Sequence, residues 1–169
     1  MIDFCRSAIR QQFHAAIDML ANAIEACPDS VWPGEGRGAF WYLAFHVLLF
    51  LDLYLSDEGE DRFHPPPPFG LTELEPEFVP PERTYRKDEL LAYVEHCRTK
   101  LDAVMAGMTE AWTASPCPFH YRAMSNGELL LYNMRHVQHH AAQLNMLLRQ
   151  AGISPPNWVS KGRVGRFQS

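Results

Sequence analysis

The sequence lacks any segment of strand length in which apolar and polar residues alternate, so nothing in it predicts a sheet. It also lacks an apolar run of membrane-spanning length. The longest, 39–51, is interrupted by His46 and stopped by Asp52, which suits a helix buried in protein. No CxxC pair occurs among Cys5, Cys27, Cys97 and Cys117, and no signal-peptide pattern opens the chain. These four are therefore expected as free thiols of a cytoplasmic protein. An excess of positive charge is missing as well: the net charge is −5, which argues against broad attraction to nucleic acid or anionic lipid. Three basic residues near the end, Lys161, Arg163 and Arg166, are expected to be solvated.

What is present fits one soluble domain, with 47% hydrophobic and 21% charged residues in 169. Four segments carry helical periodicity. The first spans about residues 2–26, with Ile9, Phe13, Ile17, Leu20 and Ile24 on one stripe, and Pro28 beyond its end. The second, about 38–55, is apolar nearly all round, as a central helix is. In the third, about 87–108, Leu90, Val94, Leu101, Met105 and Met108 form the inner face. The fourth, about 126–150, starts at a capping box, Ser125 to Glu128, and is followed by Gly152.

Between the second and third segments lie about thirty residues rich in proline (Pro65 to Pro68, Pro76, Pro80, Pro81), too many for a tight hairpin. A crossover of that length lets those two helices run parallel, while the shorter links suit antiparallel neighbours. The expected fold is an all-α, up-down-down-up four-helix bundle over 1–155, with a tail over 156–169 that packs through Trp158.

Eight histidines remain to be sorted. RHVQHH, residues 135–140, holds three of them. At about 100° per residue, His140 falls about 40° from His136, on the arc that also carries Leu129, Asn133, Val137 and Leu144. Arg135 and Gln138 fall on the other side, and His139 lies at the edge of the stripe. Two imidazoles at i and i+4 on a buried face have the spacing by which a helix chelates a metal. Alternatively, they are core rings satisfied by hydrogen bonds. His46 is surrounded on its helix by Tyr42, Leu43, Leu49 and Phe50, so its partner must come from elsewhere, and an ion shared with His136 and His140 would serve. His14, His64, His96 and His120 lie on a helix flank, in the proline loop, on an outer face and in a link.

Three neutral nitrogens suit zinc, nickel or ferrous iron and leave coordination positions open, the pattern of a catalytic rather than a closed structural site. The stretch lacks the glutamate of HExxH, and no ExxH pair occurs on any predicted helix. Zincin peptidases and carboxylate di-iron centres are thereby set aside. Asn133, Tyr42 and Gln143 are the candidate groups around the metal. Asp52 is expected to face solvent, and no general base is legible.

FWYLAFHVLLFLDLYL on the second helix, the proline-rich crossover, and NMRHVQHHAAQLNMLLRQ on the fourth resemble the DinB-like (DinB/YfiT) superfamily over about residues 1–155. The positions matching that family's metal triad are His46, His136 and His140. The resemblance implies a four-helix bundle, often a homodimer, holding a divalent metal such as zinc or nickel. It also implies a small-molecule substrate, with a low-molecular-weight thiol as cosubstrate of an S-transferase, or a related hydrolase or isomerase. Neither charge nor motif supports DNA binding. The alternative is a non-catalytic dimeric bundle with a structural or adventitious metal.

Overall fold

The computed structural model describes residues 2–71, 74 and 81–162; Pro76, Pro80, Arg163 and Arg166 lie outside them. Helix α1 covers Ile2–Ala26, α2 Phe40–Tyr54, α3 Lys87–Gly107, α4 Glu110–Ala114 and α5 Asn126–Gln150. A 3-10 turn occupies Glu60–Arg62, and among the described residues the only β pairing is an isolated bridge between Pro116 and Ser125. The protein is an all-α helical bundle, and its four cysteines are free.

Local chemistry sets the helix ends. At α5 the Ser125 hydroxyl accepts from the Glu128 backbone N–H, and the Glu128 carboxylate accepts from the Ser125 N–H at 2.8 Å, closing the predicted capping box. The link ahead of it, in which no helix was predicted, contains α4, where the Thr109 hydroxyl accepts from Trp112 N–H. Five residues make less than two turns, too short for a periodic signal.

Packing contacts fix how the long helices run. Asp102 of α3 meets Arg10 and His14 of α1, while Arg98 meets Asp18, so α1 and α3 are antiparallel. Between α2 and α3, Cys97 faces the Leu48 carbonyl and Lys100 the Asp52 carbonyl, a parallel sense. His46, Phe50 and Tyr54 of α2 meet His140, His136 and Tyr132 of α5, an antiparallel one. Phe13, Ile17, Leu20 and Ile24 are fully buried, as are Phe45, Leu48, Leu49, Leu51 and Leu53. Each such side chain contributes roughly 1.5–3 kcal/mol.

Helix α2 is the centre of the core, and its exceptions position the site. Of its residues only Leu43, His46 and Phe50 are partly exposed, at i, i+3 and i+7, a stripe facing one edge of the bundle. The proline-rich connection is tied down by aromatics: Phe69 stacks on Tyr93 at 4.4 Å, and Tyr85 packs on Phe45 at 4.9 Å.

Two expectations are corrected here. Asp52 does not face solvent; it is fully buried. Lys100 Nζ is 2.5 Å from its carboxylate, Tyr93 donates to it at 2.9 Å, and His96, itself exposed, stands 3.4 Å away. A buried carboxylate persists only with such partners. Trp158 does not anchor the tail, being 70% exposed. Val159 packs against the core instead, its N–H pointing at the Met19 sulfur, and Gly162 N–H donates to the Gln11 carbonyl. A Cβ on Gly162 would come within 2.3 Å of the His14 Cβ, so the tail lies this close to α1 only because position 162 is glycine.

Candidate metal centre

His46 sits on the exposed stripe of α2, and His136 and His140 stack one turn apart on α5. The antiparallel packing of α2 on α5 brings them together. Their ring centroids are 5.4 Å (His46–His136), 4.9 Å (His46–His140) and 4.5 Å (His136–His140) apart. Each offers one ring nitrogen, and these three atoms lie within 4.8 Å of one another. Metal–nitrogen bonds of about 2.1 Å at tetrahedral angles need nitrogens about 3.4 Å apart. Adjustments of about an ångström, within side-chain reach, would close the set.

The donor chemistry also fits. Burial pushes His46 down to about 4, helped by His140 and Arg37. Burial pushes His136 down to about 3, with His140, His46, His139 and Arg122 adding to it. Burial lowers His140 too, against the opposing effect of Gln143. All three rings are therefore neutral near pH 7, the form that has a lone pair to give. Gln143 Oε1 lies 2.6 Å from His140 Nδ1, so that nitrogen carries the proton and Nε2 is left as the donor. His136 Nδ1 is buried with no hydrogen-bond partner among the described residues, a polar atom that a bound ion or water would satisfy. The three rings are half-buried, so the cluster lies at the bundle's edge and not in its sealed centre.

Beside His136 opens a cavity of about 540 Å³, lined by Tyr132, Arg135, His136, Gln138, His139 and Ala142. His139 is exposed at this rim, as its place at the stripe's edge predicts. Arg135 and Gln138, expected to point away, line the same cavity, because the site opens sideways along the face of α5.

A sequence model of the DinB family matches residues 4–161. The chain belongs to the DinB family. The match continues past residue 155 into the tail, where Gly162 meets α1. Comparison with curated proteins gave no significant match.

Three other histidines of this DinB family chain lie away from the site. His14 is buried, with Nε2 2.7 Å from Asp102. His96 faces Asp52, and His120 lines a separate cavity with Glu58, Glu60 and Asp61. Asn133 is fully buried and donates to the Leu51 carbonyl at 3.1 Å, which ties α5 to α2. Tyr42 packs edge-on against Trp41 and Phe45 in the core. Of the three candidate neighbours, Gln143 touches a site histidine, through its hydrogen bond with His140.

Of the site's aromatic wall, sequence reasoning placed Phe50 beside His46 and missed Tyr54. Phe50 lies 4.8 Å from the His46 ring and 5.8 Å from His136, and Tyr54 lies 6.3 Å from His136. Their positions, i+4 and i+8 from His46, were the available signal. Arg122, which stands against Tyr54 and Tyr132, comes from the α4–α5 link and carried no periodic signal.

Proposed function

We propose that this chain is a divalent-metal-dependent enzyme, with zinc or nickel held by His46, His136 and His140, that transfers a small thiol to an electrophile. The observation supporting this most strongly is the convergence of three neutral imidazoles from two helices at a half-buried edge, beside an open cavity. Three protein donors leave coordination positions for a substrate. A divalent ion held there would supply Lewis acidity, favouring the deprotonated form of a thiol or polarising an acceptor.

The chain's own residues have separate tasks. Gln143 fixes the orientation and tautomer of His140. Phe50 and Tyr54 cover the histidines on one side and restrict water there. The cavity lined by Tyr132 and His139 receives the substrate, and the His139 ring, 5.1 Å from that of His140, is placed to accept the thiol proton. In the transfer a carbon–sulfur bond forms, the leaving group departs with its electron pair, and the thiol proton passes to His139 or solvent.

The test uses protein made without a histidine tag, loaded with one metal at a time, and mixed with a small thiol and a chromogenic aryl halide. Thioether formation above the uncatalysed rate is expected, dependent on metal and absent from the His46→Ala/His136→Ala/His140→Ala variant. A metal-loaded protein with no rate above background across a panel of thiols and electrophiles would refute the transferase assignment.

A further inference from the structure

Arg122 is held in an unusual setting beside the histidine centre. Its guanidinium lies over three tyrosine rings, 4.5 Å from Tyr132, 5.0 Å from Tyr54 and 5.5 Å from Tyr121. Nη2 donates to the Tyr54 hydroxyl at 2.6 Å, and the guanidinium also hydrogen-bonds the Tyr132 and Tyr121 phenols. Nε is buried and has no hydrogen-bond partner among the described residues. No carboxylate among them forms an ion pair with Arg122, and Glu60, the acidic group on that side, acts on the Tyr121 phenol instead.

The tyrosine faces and hydroxyls offset part of the cost of this half-buried guanidinium, and with no carboxylate beside it an anion would complete the compensation. Its position says where that anion would come from. Tyr54 touches both Arg122 and His136, and Tyr132 touches Arg122 and lines the cavity. With Tyr54 between them, the guanidinium stands within about 11 Å of the His136 ring, roughly the span of three extended residues. Arg135, exposed in the cavity wall, likewise has no ion pair among the described residues. The cavity lining contains no acidic side chain, and the three histidines are neutral donors. A dication there would add further positive charge.

We propose that the substrate handled at this centre carries an oxyanion, a carboxylate or a phosphate, and that Arg122 binds it, with Arg135 at the rim. The assignment rests on the histidine centre being the reaction site. An arginine fork offers two parallel N–H donors to such a group, a geometry that the amide of the same acid does not match in charge.

The experiment is calorimetric titration of the untagged protein with mercaptoacetate, mercaptopropionate and mercaptohexanoate, each against its own amide, and with inorganic phosphate. At least one acid is expected to bind about tenfold or more tighter than its amide. Arg122→Gln should reduce that ratio to about unity, and Arg122→Lys should retain part of it; general loosening of the tyrosine cage would weaken acid and amide alike. Phosphate binding tighter than every carboxylate, also lost in R122Q, would identify a phosphate-bearing substrate. Equal binding of acid and amide, full preference kept in R122Q, or no saturable binding of any anion would overturn the proposal. Metal content measured on the same samples keeps the two assignments apart. Preference without metal sinks the metal assignment alone, and metal without preference sinks this one alone.

Discussion

Replacing Gln143 by leucine separates the metal site from the fold. Gln143 Oε1 accepts from His140 Nδ1 at 2.6 Å, and no other acceptor for that nitrogen is seen. In Gln143→Leu, His140 loses the bond that fixes its tautomer and ring angle. Loss of such an outer partner weakens metal binding about 10- to 100-fold, or roughly 1.4–2.7 kcal/mol. His140 is half-buried and can find water in the metal-free protein, so the apoprotein's stability should change by less than about 1 kcal/mol. Gln143→Glu keeps the acceptor and adds negative charge, so it should bind metal at least as tightly as the natural protein. Zinc affinity is measured by competition with a chromophoric chelator, and apoprotein stability by urea unfolding. Unchanged affinity in Gln143→Leu would refute the geometry argued for His140. Equal losses of affinity and apoprotein stability would mean that Gln143 supports the fold and not the metal.

Two further predictions concern charge. Lys100→Met should destabilise the protein by about 2–4 kcal/mol, because it strands the buried Asp52 carboxylate, with the partial exposure of Lys100 lowering the figure. Asp52→Asn/Lys100→Met should recover part of that loss, and chemical denaturation of the single and double variants measures the coupling. In the metal-free protein, His46 and His136 should remain neutral to well below pH 6.5, with protonation near about 4 and about 3, as read from their ring-proton NMR shifts. Their folded pKa values lie below the unfolded value, so the unfolded chain binds more protons across that window. Stability should therefore fall as pH drops from about 6.5 towards 3, with no further loss from these groups below it.

How much of this was visible in the sequence varies with the range of the interaction that decides each feature. The ends of α1 and α5 are set locally, by Pro28 beyond one and by the Ser125–Glu128 box at the start of the other, and both were legible. The histidine cluster was legible for a related reason. HxxxH fixes two rings on one helix face, and His46 is the one ionisable group on the exposed stripe of an apolar helix. Asp52 was misjudged because its partners, Tyr93, His96 and Lys100, lie more than forty residues away. Trp158 was misjudged because bulk alone suggested an anchor, whereas the tail's path is set by Gly162 against α1. The surroundings of Arg122 draw on α2, α5 and the link between α4 and α5, so no local pattern points to them.

No described helix is long and apolar enough to cross a membrane, and the protein's distinctive chemistry gathers at the edge between α2 and α5. The most direct test is the metal content of untagged protein, measured by elemental analysis after dialysis, for the natural chain and for His46→Ala/His136→Ala/His140→Ala. One equivalent of divalent metal per chain is expected in the natural protein and none in the variant, with the helical circular-dichroism signal retained in both. Equal metal content in the two, or none in the natural protein even after loading with zinc or nickel, would contradict the account.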